Sequence, residues 1–221
     1  MIPGWIGNIR AGAMNSLGNH IKSSCRLVAF NTEQSGGGLL GLSSLDAGDD
    51  GKWTVSQFPC HSNLVTDFDF SPFDDNVLAT CSADETIKVW RLCEPDQGQN
   101  PAGSASETLS PGQGRLETVL FHPSSSGLLA VGSASTAQVW DTGRDLALAA
   151  LEPHADQLYS FTWKQDGSVL ATTCKDKKLR IFDPRAQLSP VQSAVSFQTN
   201  KESHILWVKD SDHILTTGFN Q

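Results

Sequence analysis

Residues 77–90 read VLATCSADETIKVW, in which two apolar runs stand on either side of a short polar turn. Residues 128–140 read LLAVGSASTAQVW and residues 169–182 read VLATTCKDKKLRIF, so both keep the same order of apolar run, turn and aromatic end. Short runs of β-prone residues joined by a polar turn predict β-hairpins. The chain therefore carries three copies of one hairpin.

A further alternating run precedes each hairpin and also ends in an aromatic residue. The three runs cover residues 65–70, 117–121 and 158–163. The two aromatic ends lie 20 positions apart in the first copy and 19 positions apart in the other two. Three short strands that recur near the roughly 40 to 45 residue period of a WD blade predict an all-β fold, namely a WD40-type β-propeller.

Similar runs continue the pattern on both sides of the three copies and predict an incomplete propeller of about four blades plus the start of a fifth. The expected bounds are blade 1 at 20–58, blade 2 at 61–92, blade 3 at 115–151, blade 4 at 154–199 and the start of blade 5 at 203–221. Residues 93–114 are rich in Pro, Gly, Ser and Gln and lack an apolar period, so we expect a surface loop between blades there.

A typical WD blade contains a buried hydrogen-bonded set of four side chains. It joins a His before the first strand, a Ser or Thr in the second strand, an Asp in the tight turn and a Trp in the third strand. In blade 2 we expect this structural network to consist of His61, Ser82, Asp84 and Trp90. Since buried polar groups must be paired, the set would hold the strands in register.

The other blades keep only parts of this network. Blade 4 has His154 and Asp176, but Cys174 stands where Ser is usual and Phe182 where Trp is usual. Blade 3 keeps Trp140 and lacks both the His and the turn Asp. We therefore expect packing, rather than polar pairing, to hold blade 3 together.

Composition and charge narrow the possible functions. The 24 acidic and 16 basic residues give a formal charge of −8, the wrong sign for coating a nucleic acid. The five cysteines form an odd set without C-x-x-C spacing, which favours a reduced, cytosolic protein. The sequence has no apolar stretch of 18 residues, so we expect no transmembrane segment and at most peripheral membrane association.

Catalytic, metal and cofactor sites find no support in the motifs. The six His residues are scattered and show no H-E-x-x-H spacing, so no metal site is expected. Residues 112–114 lack the third glycine of a dinucleotide fingerprint, and residues 48–52 lack the Ser or Thr of a phosphate loop. No G-x-S-x-G elbow occurs. We therefore expect a non-enzyme that needs no cofactor.

Several segments resemble the coronin family of WD-repeat proteins. Residues 67–75, DFDFSPFDD, and residues 82–90, SADETIKVW, resemble its second-blade signature. Residues 166–168 and 173–185, DGS and TCKDKKLRIFDPR, are similar to a more diagnostic segment of the family. The resemblance extends from about residue 5 to the end of the chain, and it fails in the expected loop.

Residues 19–25 and 216–221 further resemble the long coronins that carry two propellers in tandem. Coronins are seven-bladed propellers that bind actin filaments, and the tandem type is associated with the Golgi, cytosolic vesicles and protein sorting. The resemblance thus implies a scaffold that binds actin filaments and trafficking proteins in the cytosol, on Golgi membranes and on vesicles. Because Asn8-Ile9-Arg10 matches a filament-binding element of shorter coronins, Arg10 becomes a candidate actin-binding residue.

A second candidate surface is a cluster of basic residues in blade 4, which could bind an acidic partner. Its members are Lys175, Lys177, Lys178, Arg180 and Arg185. A different function is suggested by residues 181–185, IFDPR, which are similar to the box that WD-repeat receptors of cullin-type ubiquitin ligases use to dock an adaptor. Ubiquitin-ligase components are thus the alternative partners.

An incomplete propeller has consequences for stability. A closed ring protects the faces and strand edges of its blades, whereas an open arc leaves an end blade uncovered. We therefore expect the chain, when it is expressed alone, to be unstable or oligomeric.

Overall fold

The computed structural model describes residues 16–32, 36–46, 51, 53–93, 101–196, 198 and 200–218. These residues form four four-stranded antiparallel sheets and one two-stranded sheet. The only helical segment among them is one 3₁₀ turn at Thr142–Arg144. The all-β WD40 fold expected from the sequence is confirmed.

The first two sheets are built from consecutive strands, with the first strand of each at one side and the fourth at the other. Blade 1 contains β1 (Ile21–Ser23), β2 (Leu27–Asn31), β3 (Leu39–Ser44) and β4 (Val55–Pro59). Blade 2 contains β5 (Val65–Phe70), β6 (Val77–Ser82), β7 (Ile87–Arg91) and β8 (Glu107–Leu109).

The remaining sheets repeat this arrangement. Blade 3 contains β9 (Leu116–Phe121), β10 (Leu128–Ser133), β11 (Thr136–Asp141) and β12 (Leu146–Ala150). Blade 4 contains β13 (Leu158–Trp163), β14 (Leu170–Cys174), β15 (Lys178–Phe182) and β16 (Gln192–Val195). The fifth unit is the hairpin of β17 (Ser203–Trp207) and β18 (Ile214–Gly218).

One segment differs from its sequence-based interpretation. Residues 93–114 are not a loop throughout, because β8 lies within them and pairs with β7 as the outer strand of blade 2. Ala102 also forms an isolated bridge with Leu92. Leu109 at the end of β8 is only 2% exposed, so this burial and the backbone pairing explain the strand.

The hydrophobic core lies between neighbouring blades rather than inside any one of them. One buried cluster joins Phe58 of blade 1 to Phe68 and Trp90 of blade 2. A second cluster joins blades 2 and 3, and a third joins blades 3 and 4. Each blade is therefore stabilised mainly by apolar surface that it shares with its neighbours.

The register places equivalent residues of the blades at the same height. Leu78 of β6 pairs with Trp90, and Leu170 of β14 pairs with Phe182. Thr80 and Thr172 consequently occupy the same place in blades 2 and 4. None of the described residues belongs to a helix long and apolar enough to span a lipid bilayer.

Candidate functional site

The most complete polar network lies in blade 2 and centres on a buried imidazole. The Nδ1 atom of His61 is 3.0 Å from an Asp84 carboxylate oxygen, and its Nε2 atom is 2.7 Å from Thr80 Oγ1. The indole N–H of Trp90 donates to the same Thr80 oxygen at 3.0 Å. Because the carboxylate can only accept, Nδ1 carries the proton and Nε2 accepts from the Thr80 hydroxyl.

Burial sets the protonation of this imidazole. It lowers the pKa of His61 to about 4, and the neighbouring Asp84 carboxylate only partly opposes that shift. Burial would raise the pKa of Asp84, but hydrogen bonds from Thr86 and the Ser62 N–H outweigh it, so the pKa is lowered. The site therefore holds a neutral imidazole against an ionised carboxylate that orients it.

Ser82 has a different role from the one expected. Its hydroxyl oxygen accepts from the Asp84 backbone N–H at 3.0 Å and lies 3.3 Å from the Asn63 carbonyl oxygen. Ser82 therefore orders the tight turn, whereas Thr80, two residues earlier, links the imidazole to the indole. The sequence contained one signal for this, because Thr172 stands two residues before Cys174 in the matching hairpin.

Blade 4 keeps the hydrogen bond between the His and the Thr side chains and lacks the rest of the polar network. The Nε2 atom of His154 is 2.8 Å from Thr172 Oγ1, and its Nδ1 atom is 3.1 Å from the Ser135 carbonyl oxygen of blade 3. The Phe182 ring, 5.8 Å away between centroids, offers no N–H. Asp176 makes no hydrogen bond to His154 and instead pairs with Arg180 through two hydrogen bonds, one of them 3.1 Å long.

Cys174 takes over the turn function of the usual serine. Its Sγ atom accepts from the Asp176 backbone N–H at 3.4 Å and donates toward the Asp156 carbonyl oxygen at 3.1 Å. Burial raises the pKa of the Cys174 thiol. The thiol is therefore held protonated as a weak hydrogen-bonding group, and a nucleophilic role is disfavoured.

Blade 3 replaces the missing network with glutamines. The indole N–H of Trp140 donates to Gln138 Oε1 at 2.9 Å. At the turn, Gln113 Oε1 accepts from the Thr136 hydroxyl at 2.6 Å and lies 3.5 Å from the Ser133 hydroxyl. Gln113 thus fills the place of the absent turn Asp from a neighbouring segment of the chain.

The five basic residues of blade 4 do not form a uniform face. Arg180 is half-buried by its pairing with Asp176, and the Lys175 ammonium group lies 3.9 Å from Asp156. Arg185 is ion-paired with Asp183 at 3.2 Å. Lys177 and Lys178 make no ion pair with any described residue. The candidate actin-binding residue Arg10 lies outside the described residues.

Two aspartates on the first strand of blade 2, the buried Asp67 and the partly buried Asp69, form a cluster that the sequence did not predict. One oxygen of Asp67 accepts from the Asn19 backbone N–H at 2.8 Å, and the other accepts from the Val119 N–H of blade 3 at 3.1 Å. One oxygen of Asp69 accepts from the Phe121 N–H at 3.0 Å, and the other accepts from the Lys22 ammonium group at 3.0 Å. These carboxylates tie blade 2 to both neighbouring blades.

The electrostatics of this cluster reflect competition between burial and pairing. Burial raises the pKa of Asp67 to about 6, although Lys22 and two backbone N–H groups favour its ionised form. Burial raises the pKa of Asp69 as well. Burial would lower the pKa of Lys22, but the two carboxylates outweigh that effect and the pKa is raised.

The cluster borders a cavity of about 250 Å³ between the first strands of the blades. Asp67, Lys22, Tyr159 and His204 are among the residues that line it. The described residues contain no group of three or more His, Cys, Asp or Glu side chains that could hold a metal ion. The cavity is therefore lined by both polar and apolar side chains, and the Asp67 and Lys22 groups that border it already have partners.

Comparison with known protein families finds WD repeats in two places. The family described as WD domain, G-beta repeat matches residues 52–91 and 147–183. Coronin-7 of Bos taurus is 43% identical over 98% of this chain and 23% of its own length. Coronin-7 of Homo sapiens is 44% identical over the same shares. The chain thus spans about a quarter of the length of these curated relatives.

A more distant relative and two solved structures are also similar to this chain. A coronin-like protein of Saccharomyces cerevisiae is 29% identical over 92% of this chain and 32% of its own length. The solved WD40 domain of Toxoplasma gondii coronin has a TM-score of 0.85 and 28% identity, covering 96% of this chain and 55% of that one. A chain of a mitotic checkpoint complex shares the fold, with a TM-score of 0.73 at 18% identity, covering 91% of this chain and 57% of that one.

Proposed function

The chain belongs to the coronin family of WD-repeat proteins, and from this membership we propose that it is a non-catalytic scaffold that links actin-filament regulation to Golgi and vesicle trafficking. The observation that carries the proposal is similarity to coronins along 98% of the chain. The polar networks are consistent with a scaffold, since their His and Asp groups bond to one another and to the backbone. The buried thiols of Cys60, Cys81 and Cys174 are also consistent with a scaffold, because their raised pKa values disfavour nucleophilic chemistry.

Two surfaces are our candidates for filament binding. Arg10 lies in the Asn8-Ile9-Arg10 element that resembles a filament-binding element of shorter coronins. In blade 4, Lys177 and Lys178 are the members of the basic cluster that remain without an ion pair among the described residues. An unpaired ammonium group is better placed to meet an acidic partner than one already neutralised by a carboxylate.

Filament co-sedimentation with charge-reversed variants tests both surfaces. We expect Arg10→Glu and the double variant Lys177→Glu/Lys178→Glu each to lower the fraction that pellets with filaments. Lys209→Glu is the matched control, because Lys209 is exposed on the far hairpin, which is formed by β17 and β18. The substitution changes the net charge in the same direction. If both site variants pellet like the parent chain, these two surfaces are not the filament-binding sites.

The trafficking part of the proposal concerns location in the cell. We propose that the protein divides between the cytosol, Golgi membranes and cytoplasmic vesicles, and that it attaches to membranes only peripherally. Washing isolated Golgi membranes with alkaline carbonate should release a peripheral protein and retain an integral one. Retention of the protein in the washed membranes, or its complete absence from the Golgi fraction, would contradict this proposal.

The ubiquitin-ligase receptor is a second candidate function. Its support is the IFDPR segment, in which the Arg185 side chain is 71% exposed and held by Asp183 at 3.2 Å. A ligase adaptor that docks on this segment should be recovered by affinity capture and lost on Arg185→Ala. Arg144→Ala is the control, since Arg144 is equally exposed in blade 3. Capture that recovers no adaptor, or that is unaffected by Arg185→Ala, would exclude this function.

A further inference from the structure

The outer edge of blade 3 differs from the outer edges of the other three four-stranded sheets. Its strand β12 reads LALAA and has no charged, polar or proline residue. By contrast, β4 contains Gln57 and ends at Pro59, β8 is three residues long and begins with Glu107, and β16 begins with Gln192.

Exposed strand edges usually carry such protective residues, because unpaired backbone groups attract further strands. Leu146 and Leu148 of β12 are each about half exposed, at 51% and 49%. No strand of the described residues pairs with the outer side of β12. The edge is thus apolar and unpaired, and it is available to an additional strand, although its pairing with β11 contains a β-bulge at Leu148.

A groove of about 200 Å³ adjoins this edge, between blades 3 and 4. Leu148 and Val139 of blade 3 and Trp163 of blade 4 form its apolar walls. Sites for drug-sized ligands usually measure at least roughly 300 Å³. The groove is therefore suited to one aliphatic side chain rather than to a nucleotide or another cofactor.

The polar groups of the groove are biased toward hydrogen-bond donors. Arg185 donates through Nε to Asp183 and through Nη2 to the Ser168 carbonyl oxygen, while its Nη1 makes no hydrogen bond to a described residue. The buried indole N–H of Trp163 also lacks a partner among the described residues. An occupant that supplies an acceptor, above all a carboxylate, would complement both groups.

Asp166 and His122, which also line the groove, already have hydrogen-bond partners. Asp166 accepts from the Ser168 hydroxyl at 2.6 Å and from its backbone N–H at 2.8 Å, and it lies 3.7 Å from the Lys164 ammonium group. His122 Nε2 is 3.0 Å from the Gly167 carbonyl oxygen, and burial lowers the pKa of His122. Arg185 is already ion-paired with Asp183 through Nε, but its Nη1 makes no hydrogen bond to a described residue and its side chain is 71% exposed, so a second carboxylate can still reach it.

We propose that β12 and the adjoining groove bind an extended peptide segment of a partner protein, with an aliphatic side chain in the groove and a carboxylate on Arg185. The segment adds a fifth strand to blade 3, since main-chain hydrogen bonds at a free edge supply affinity and alternate side chains supply specificity. This site goes beyond filament binding, because β12 and the lining of the groove do not include Arg10, Lys177 or Lys178, the residues that carry the filament-binding proposal. Arg185 is the one residue that it shares with the basic cluster of blade 4.

A pair of fluorescein-labelled ten-residue peptides tests the charge requirement. Both alternate leucine and threonine, and one ends in two glutamates while the other ends in two lysines. The net charge of −8 favours the lysine peptide at long range, so a preference for glutamate reports the local cation. By fluorescence anisotropy we expect the glutamate peptide to bind at least tenfold more tightly, and Arg185→Ala to abolish that preference.

Substitution at the edge tests the location. Leu148→Lys should weaken binding of the glutamate peptide at least tenfold. Val195→Lys is the control, because Val195 is an exposed aliphatic residue on the outer strand of blade 4, and it should leave binding unchanged. Leu148→Lys should also pellet with filaments like the parent chain, so failure of this site and failure of the proposed function are separable.

Hydrogen–deuterium exchange distinguishes strand addition from simple occupation of the groove. Bound glutamate peptide should protect the backbone amides of residues 146–150 and leave those of residues 192–195 unchanged. The proposal is overturned if neither peptide binds, if Leu148→Lys binds like the parent chain, or if protection appears away from residues 146–150.

Discussion

Thr80 is the residue on which the blade 2 network depends. Its single hydroxyl accepts the indole N–H of Trp90 and donates to His61, so it connects the third strand to the segment before the first. All three side chains are buried, and a buried polar group without a partner is costly. The loss of one hydroxyl would therefore leave two other groups unpaired.

Substitution of this threonine should measure that cost. We expect Thr80→Val, which keeps the shape of the side chain, to lower the free energy of unfolding by roughly 2–4 kcal/mol, since two buried groups lose their partner. Thr172→Val in blade 4 is the matched control, because His154 loses a partner there but Phe182 has no N–H to lose. Urea unfolding measures both variants, and equal losses would contradict the double role of Thr80.

The buried imidazole predicts how stability depends on pH. Because the pKa of His61 falls to about 4 in the folded chain, the unfolded chain binds the proton more readily between pH 6.5 and 4. The contribution of the neutral His61 to the free energy of unfolding is fully present above pH 6.5. It is lost as the pH falls toward 4, and the total loss is about 3 kcal/mol.

Asp67 acts in the opposite direction over part of this range, since its raised pKa favours the folded chain at lower pH. The contribution of His61 is therefore obtained as the difference between the parent chain and His61→Gln. Urea midpoints at pH 7 and pH 5 give this difference. An equal dependence on pH in the two proteins would contradict a neutral buried imidazole.

At the scale of elements, the sequence predicted most strands because period-two alternation is a local signal. Strand β8 escaped prediction because it has three residues and is ordered by pairing with Ile87–Val89, some 20 positions earlier. The sequence did not predict the roles of Asp67 and Asp69 for a similar reason. Their alternation with Phe68 and Phe70 indicated a strand, but only the neighbouring blades supply the N–H and ammonium donors.

Truncation of a side chain in β8 tests whether this strand contributes to the core. We expect Leu109→Ala to lower the free energy of unfolding by about 2–5 kcal/mol, as is usual for a buried leucine. Leu146→Ala, at an exposed position, should change it by no more than about 0.5 kcal/mol. Urea unfolding that gives Leu109→Ala the small effect would show that residues 107–109 behave as a surface loop.

At the scale of the whole molecule, the partly buried ion pair between Lys22 and Asp69 couples blades 1 and 2, and Asp69 also bonds to blade 3. Removing one partner of a partly buried pair leaves the other charge without its hydrogen bond, which costs about 1.5–3 kcal/mol. We expect such a loss for Lys22→Met, and the double variant Lys22→Met/Asp69→Asn to lose less than the sum of the single variants. A double-mutant cycle measures this coupling, and additive losses would show that the two residues act independently.

The exposed apolar surface of the far hairpin, β17 and β18, bears on association between molecules. Ile205 is buried against blade 4, whereas Leu206 and Leu215, paired across the two strands, are more than half exposed. Contiguous exposed aliphatic surface promotes association. We therefore expect the purified chain to sediment with an average mass that rises with concentration, and Leu206→Lys/Leu215→Lys to suppress the rise.

Leu188→Lys controls for the added charge, since Leu188 is an exposed leucine of blade 4, and it should associate like the parent chain. Selective suppression would mean that association follows from the second apolar side of this hairpin, the side that an internal blade turns toward its neighbour. A parent chain that sediments as a monomer at every concentration would instead mean that two exposed leucines are too small a surface to bring molecules together.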